Sequence, residues 1–440
     1  MPINCLLFLK YACPTFNPNS KYLIPISQKM KIAIIGAGAA GCFAAANIPY
    51  QQGVEVAVFE KTGKVLQKVK VSGGGRCNVT NECFDIPELL TRYPRGKQLL
   101  RKSLYLFGPQ QTIDWFEKRG VKLKTEPDGR MFPVTDDSQT IIDCIWHEMM
   151  HNKVQVFYHK SVASITPPSL STNGCFVIHF ADTSVYSADA VLIATGGFPK
   201  AEQYNWITAL GHTIQSPVPS LFTFNIPKHP ITELMGLSVP NATIKIAGTK
   251  ITQQGPLLIT HWGMSGPAVL KTSAIAAREL ADRNYEFQII VNWLGGITDA
   301  DMREILVQLR KEQGSQFIQN KNPFNLPRRL WEYQLQQCGI TENTRWGELP
   351  AAVQNKLTGC LLRDIYSVKG KTTFKEEFVT CGGITLSEID PQTMQSRIVP
   401  GLFFAGEIMD VDGITGGYNF QHAWNSGWIA AHAMSGKVRS

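Results

Sequence analysis

The segment that most restricts what this chain can become is Lys31–Glu60. An apolar strand, Lys31-Ile-Ala-Ile-Ile35, runs straight into Gly36-Ala-Gly-Ala-Ala-Gly41. A small-residue helix follows to about Asn47, and Pro49 ends it. A second apolar strand, Val54–Phe59, closes on Glu60. This is a βαβ start carrying a G-x-G-x-x-G turn. Gly36 permits the tight turn, Gly38 lets the backbone approach a pyrophosphate, and Gly41 lets helix and strand pack closely. The helix N-terminus, at Ala39 and Ala40, faces the phosphates with free N–H groups. Glu60 stands 19 residues past Gly41, where a carboxylate reaches ribose hydroxyls, and Lys61 beside it suits the pyrophosphate. A lone glycine motif is a weak signal. With strand, helix and acid in register it predicts an α/β dinucleotide site.

Distant segments choose between NAD and FAD. Asp189-Ala-Val-Leu-Ile-Ala-Thr-Gly-Gly197 is another buried strand that ends in a glycine turn. Gly401-Leu-Phe-Phe-Ala-Gly-Glu407 repeats the pattern. Gly413-Ile-Thr-Gly-Gly-Tyr-Asn419 follows, with a final helix expected from about Gln421 to Met434. Three glycine-terminated strands suit a long, extended cofactor, and the arrangement resembles that of the two-dinucleotide-binding flavoproteins, which implies FAD. No second G-x-G-x-x-G exists, so a separate NAD(P)H domain is not expected. Either the substrate reduces the flavin or NAD(P)H docks transiently as electron donor.

Four further segments are more specific. They are Lys70-Val-Ser-Gly-Gly-Gly-Arg-Cys-Asn-Val-Thr-Asn81, Thr260-His-Trp-Gly-Met-Ser-Gly-Pro-Ala-Val-Leu270, Val379-Thr-Cys-Gly-Gly-Ile384 and Gly413–Ala423. Together they resemble the YhiN/BaiN-type NAD(P)/FAD-dependent oxidoreductases, also labelled aminoacetone-oxidase-like flavoproteins. The resemblance runs from Met30 to the C-terminal helix. It implies a two-dinucleotide-binding-type FAD domain, Rossmann-like and discontinuous, over 30–198 and 368–440. A β-rich insertion over 199–297 and a helical subdomain over 298–367 complete the implied layout.

The resemblance also implies site residues. The N-terminal turn takes the ADP half, with a backbone contact from Val162 to the adenine. Thr195, Gly196 and Gly197 end the second strand. Gly406 and Glu407 hold the ribityl half, where the family's usual acid is Asp. Gly416, Gly417, Tyr418 and Asn419 approach the isoalloxazine. Gly74, Arg76, Cys77 and Asn78 belong to a backbone cradle for phosphate and ribityl oxygens, with Arg76 as a charged donor. Two side chains are candidate acids: Cys77, if uncovered at the flavin face, and His261, which serves equally well as packing beside Trp262.

The rest of the chain reads coarsely. Prolines 217, 219, 227, 230 and 240 punctuate the stretch from Phe198 to about Ile246. Alternation at Thr243–Ala247 and Glu286–Val291 predicts half-exposed strands. Asp299–Lys311, Pro327–Gln337 and Pro350–Leu362 read as helices. With 44% hydrophobic and 18% charged residues, the chain can bury a large core, which excludes a disordered protein. No stretch reads as a membrane span. The ten cysteines form no C-x-x-C pair and suit reduced thiols in a cytoplasmic protein. Residues 1–29, with four prolines and no acid, read as a disordered leader or an upstream start, Met30 being the natural beginning. His147-Glu-Met-Met-His151 matches a zinc pattern, but helical spacing turns Ile141, Ile145 and Met149 inward and both histidines outward. A metal site is not expected.

The formal charge of +8 is unevenly spread. Between Lys61 and Lys102, ten basic residues face only Glu82, Asp85 and Glu88. Lys61 and Arg76 are assigned to the cofactor. Arg92, Arg95, Lys97, Arg101 and Lys102 have no such duty and read either as a solvated helix face or as contacts to ribosomal RNA phosphates. The expected function is FAD-dependent reduction of a conjugated C=C bond, with uridine in ribosomal RNA favoured as substrate. Two alternatives stand beside it. One is a small-molecule ketone or amine oxidase or enone reductase. The other is an RNA-binding flavoprotein with structural FAD.

Overall fold

The computed structural model describes residues 29–372 and 379–436. The leader expected over 1–29 lies outside them apart from Lys29. Strands buried on both faces must be apolar where they are buried, and four such runs, with Lys31 and Glu55 kept to their less buried first ends, build the first sheet. They are Met30–Ile35 (β1), Val54–Phe59 (β2), Ala190–Ile193 (β4) and Leu402–Phe404 (β5), with Gln155–Phe157 (β3) at one edge. The order is β5-β4-β1-β2-β3, and every pairing is parallel. The chain therefore leaves β1 toward β2 on one side and returns as β4 on the other. A crevice opens at such a switch point, beyond the C-terminal strand ends.

Helix α1 (Ala39–Ala46) is buried at seven of its eight residues, which its alanines permit. Helix α2 (Ser138–His151) buries Ile141, Ile145 and Met149 and leaves His147 and His151 exposed, as its spacing predicts. No cluster able to hold a metal exists among the described residues. The helix Tyr418–Met434 (α4) starts three residues before the expected Gln421 and packs along α1. A Cβ on Gly427 would lie 2.6 Å from Ala40 O, so small residues set that close approach.

The second body is a seven-stranded sheet. Its order is Asp364–Lys369, Glu286–Asn292, Ser238–Ile246, Thr252–Thr260, Gly263–Ser265, Thr223–Asn225, Lys371–Thr372. It includes both alternating segments. Helix α3 (Pro267–Ile275) packs on it. The three later helices form at Asp299–Gln313, Arg328–Cys338 and Ala351–Leu362. They bury Trp331 and Trp346 in one core with sheet residues such as Ile289 and Tyr366. The β-rich and helical portions thus share a core, and the sheet runs on to Thr372. Residues 199–221 side with the parallel sheet instead. Tyr204, Ile207 and Leu210 join its core, and Ile214–Ser220 pairs antiparallel with Val379–Ile384.

Candidate active site

A cleft of about 620 Å³ opens at the C-terminal ends of β1, β2, β4 and β5 and faces the second body. Its floor is the glycine turn. A Cβ on Gly36 would meet Ala194 O at 2.5 Å, and one on Gly41 would meet Gly36 O at 2.0 Å. Both positions hold the turn together from behind. At Gly38 a Cβ would meet nothing within 4 Å, because this residue looks into the cleft. Glu60 ties the turn to β2: its Oε2 accepts Ala37 N at 3.0 Å and its Oε1 accepts Thr62 N at 2.9 Å.

The segment after Gln67 begins as a helix and breaks at Ser72. Gly73, Gly74 and Gly75 then take φ of 57°, 70° and 85° in succession. Consecutive left-handed residues turn their N–H groups to one side and make an anion-binding concavity, a shape that bulkier residues strain to adopt. Gly73 and Gly74 line the cleft.

Two helices aim their N-termini at this space. Neither α1, after Gly38, nor α4, after Gly417, has a side-chain cap on its first turn. Asn78 fixes the start of α4 by accepting Gly417 N at 2.9 Å and donating to Thr80 O at 3.0 Å. Gly417 sits so close that a Cβ would fall 2.5 Å from Thr80 O. Asn419 staples the preceding loop, accepting Gly413 N at 2.8 Å and donating to Gly413 O at 3.0 Å. Each uncapped terminus presents a partial positive charge of roughly half a unit.

His422 lies one turn along α4 and also lines the cleft. It is buried, its Nε2 lies 3.2 Å from Gly406 O, and its Nδ1 has no hydrogen-bond partner among the described residues. Burial lowers its pKa to about 4, against the opposing pull of the Gly406 carbonyl. The ring is therefore neutral, and with Nε2–H donating to Gly406 it leaves Nδ1 as an acceptor. An orphan buried acceptor, two uncapped helix termini and a glycine concavity on one cleft fit a long dinucleotide with an electron-rich ring.

Most expected cofactor residues meet here. Gly36, Gly38, Ala39, Ala40, Glu60, Lys61, Gly74, Asn78, Thr195, Gly196, Gly197, Gly406, Glu407, Gly416, Gly417 and Asn419 all line the cleft. Glu407 stands where the family's usual acid is Asp. Its Oε1 accepts Thr380 N at 2.7 Å, and its Oε2 pairs with Lys68 at 2.7 Å.

Other expected residues are placed elsewhere. Arg76 turns away to Glu126, at 2.6 Å, and stacks over Phe132. Cys77 adopts φ 61°, which rotates its thiol into the core, where burial pushes its pKa up to about 12. His261 is exposed on the turn between two strands, edge-on to Trp262. Tyr418 packs edge-on to Tyr93, whose hydroxyl donates to Tyr418 O at 2.8 Å. Val162 lies in the small antiparallel sheet of Val162–Thr166, Phe176–Phe180 and Val185–Ala188, off the cleft.

The cleft also holds side chains that sequence reasoning passed over. Arg130 lines it, held by Glu126 and Asp128, and nothing marks that arginine in the sequence. His422 belongs to the segment Gly413–Ala423, and nothing in the sequence distinguishes it there from its neighbours. Thr223, Ser265 and Leu270 come from the second body's side of the cleft, and Leu221 from the end of the segment that sides with the parallel sheet.

The basic run separates in the same way. Arg95 is paired with buried Asp412 and is unavailable to phosphates. Arg92 pairs with Glu88. Lys97, Arg101 and Lys102 are exposed on the helix Lys97–Ser103 and form no ion pair among the described residues. No helix among those residues is long and apolar enough to cross a membrane.

Comparison with known proteins matches residues 30–433 to the family described as HI0933-like protein Rossmann domain. The chain is 31% identical to the ribosomal RNA dihydrouridine synthase of Escherichia coli, over 92% of this chain and 98% of that one. It is 28% identical to the 3-dehydro-bile acid delta(4,6)-reductase of Clostridium scindens, over 92% of this chain and 99% of that one. A solved 3-ketosteroid-delta4-(5alpha)-dehydrogenase from Rhodococcus jostii aligns with a TM-score of 0.49 at 13% identity, over 93% and 98% of the two chains. The chain belongs to the HI0933-like family and is an FAD-dependent oxidoreductase.

Proposed function

We propose that the chain reduces a conjugated C=C bond, and that its substrate is uridine in ribosomal RNA. The product is dihydrouridine: a hydride adds at C6 of the pyrimidine and a proton at C5. FAD held in this cleft would supply the hydride, and NAD(P)H docking transiently would be the source of its two electrons. The observation that carries this reading is the likeness, over nearly the full length of both chains, to a protein named for that reaction.

The chain's own residues have definable tasks. Glu60 and Lys61 line the cleft beside the glycine turn, where they would hold the ribose and the pyrophosphate. Gly73 and Gly74 offer N–H donors to phosphate or ribityl oxygens. The α4 N-terminus gives the cleft a positive potential that would suit the electron-rich edge of the ring system. Leu270 from the second body and Leu221 from the facing segment narrow the cleft and exclude water. The base has to leave its stack to enter, and exposed Lys97, Arg101 and Lys102 support an RNA backbone nearby.

A second reading has an observation of its own. Leu221, Leu270, Val379, Val411 and Ile414 give the cleft an apolar side, which suits an unsaturated steroid-like ketone. Mass spectrometry of ribosomal RNA from a deletion strain decides between them. Loss of one dihydrouridine, restored by the gene, is expected. An unchanged RNA, with turnover of a steroid enone by the purified protein, would overturn the RNA reading.

A further inference from the structure

Two thiols far from each other in sequence touch in the fold. Cys338 Sγ donates to Cys360 Sγ at 3.6 Å, the one thiol-to-thiol hydrogen bond among the described residues. Neither residue lines the cleft. Cys338 is the last residue of the helix Arg328–Cys338, and Cys360 lies in the last turn of the helix Ala351–Leu362. The two helices pack against each other in the second body.

The pair is asymmetric. Cys338 is buried in the second core, whereas Cys360 packs against that core and is partly exposed. The S–H of Cys338 favours a thiolate at Cys360 and lowers its pKa, against burial and Asp364. Exposed Lys356, one turn earlier on the same helix, adds to the lowering. The same hydrogen bond first, and burial second, raises Cys338. Asp364 Oδ2 accepts Trp293 Nε1 and Gln334 Nε2, each at 2.9 Å, and the Tyr366 hydroxyl, so its charge is spread over three donors. Cys360 is thus the accessible nucleophile, and Cys338 is a protonated thiol held against it. A disulfide needs its sulfurs about 2.05 Å apart, so the pair has to close by about 1.5 Å. Cys338 ends its helix with Gly339 at φ 73° behind it, so that movement falls on a helix end.

We propose that Cys338 and Cys360 are a peroxide-sensitive pair that closes to a disulfide and clasps the two helices. The proposal is independent of the substrate. The Cys360 thiolate attacks one oxygen of hydrogen peroxide, the O–O bond breaks, and the departing hydroxide takes a proton and leaves as water. Cys360 is then a sulfenic acid. Cys338 sulfur attacks Cys360 sulfur, the S–O bond breaks, and the second hydroxide leaves as water with the Cys338 proton. Two thiols are oxidised and one peroxide is reduced. The clasp has a path to the cleft. The helix Ala351–Leu362 runs into the strand Asp364–Lys369, and Lys371–Thr372 beyond it pairs with Thr223–Asn225, whose Thr223 lines the cleft.

The test treats the full-length, flavin-loaded protein with hydrogen peroxide, blocks the remaining thiols and digests with trypsin without reductant. Mass spectrometry should find fragment 330–345 joined to fragment 357–363, lighter by two hydrogen atoms and separated by a thiol reductant. The link should form at least about tenfold faster in folded than in urea-unfolded protein, because the fold holds the sulfurs together. In Cys338→Ser, dimedone should trap a sulfenic acid at Cys360. In Cys360→Ser, its labelling of Cys338 should be at least about tenfold lower. Oxidised wild type should unfold at a higher urea concentration than the reduced protein, and Cys338→Ser should show no such rise. The pair is overturned if no link forms while partly exposed Cys83 or Cys175 is oxidised in the same sample. A link no faster in the folded protein overturns it too. Equal dimedone labelling in the two variants overturns the assigned roles, and an unchanged urea midpoint overturns the clasp.

Discussion

Arg95 grips the wholly buried carboxylate of Asp412 through both Nε and Nη2. Ser220 Oγ donates to the same carboxylate at 2.8 Å. Three stretches far apart in sequence thus meet on one acid, beneath the cleft residues Val411 and Ile414.

Removing either charge leaves the other buried and alone. Asp412→Asn and Arg95→Met should each destabilise the fold by about 3–5 kcal/mol. The double variant Arg95→Met/Asp412→Leu should recover much of that loss. Urea unfolding of the three proteins checks the ordering. A double variant as weak as the sum of the singles would contradict it.

The glycine turn separates folding from cofactor binding. Gly41→Ala drives a methyl to within 2.0 Å of Gly36 O, so both stability and flavin content should fall. Gly38→Val has open space within the protein but intrudes on the cleft. It should melt normally without flavin and purify colourless. Flavin absorbance beside far-ultraviolet circular dichroism reads both effects. A yellow Gly38→Val protein would show that no phosphate approaches there.

His422 gives the acid side of the stability profile. Its pKa falls from 6.5 unfolded to about 4 folded, so the unfolded chain binds its proton more readily. Its contribution is therefore intact above pH 6.5 and is lost as pH falls from 6.5 toward 4. At about 1.36 kcal/mol per unit, the loss amounts to about 3 kcal/mol. Flavin-free wild type should weaken over that window, and His422→Asn should weaken much less. Parallel profiles in chemical denaturation would remove His422 as the cause.

Cys77 is sealed in the core with its thiol protonated. Native alkylation should spare Cys77 and Cys42 while modifying Cys83 and Cys175, which are partly exposed. Cys77→Ala should keep turnover within a few-fold of wild type. A drop of about a hundredfold or more, the scale of a lost general acid, would restore Cys77 to the chemistry.

What the sequence made legible follows a physical division. The βαβ start was readable because both strands are continuous apolar runs and each glycine has a steric task there. The helices near 299, 328 and 351 were readable from periodicity and their flanking residues. Directions of side chains in glycine-rich loops were not. Tyr418 turns onto Tyr93 because Gly413 and Gly416 make room for its ring, and nothing local fixes that choice. Cys77 points inward because its φ is positive. Arg95 looked like its basic neighbours because its partner Asp412 lies 317 residues away. Charge composition reports the sum of a patch, whereas pairing across the fold decides which members remain available.

The parallel sheet has a consequence for how the protein is made. Its edge strand β5 and the cleft-facing helix α4 come from residues 402–434, at the far end of the chain from β1. On the ribosome, β1, β2 and β4 emerge early and wait for the whole second body before their sheet is finished. Such long-range pairing is slow to form. A nascent or C-terminally shortened chain can hold the glycine turn yet lack Gly406, Glu407 and His422. With Gly406, Glu407 and His422 in the role proposed above, uptake of the cofactor would mark complete synthesis, and prematurely ended chains would stay free of a redox centre.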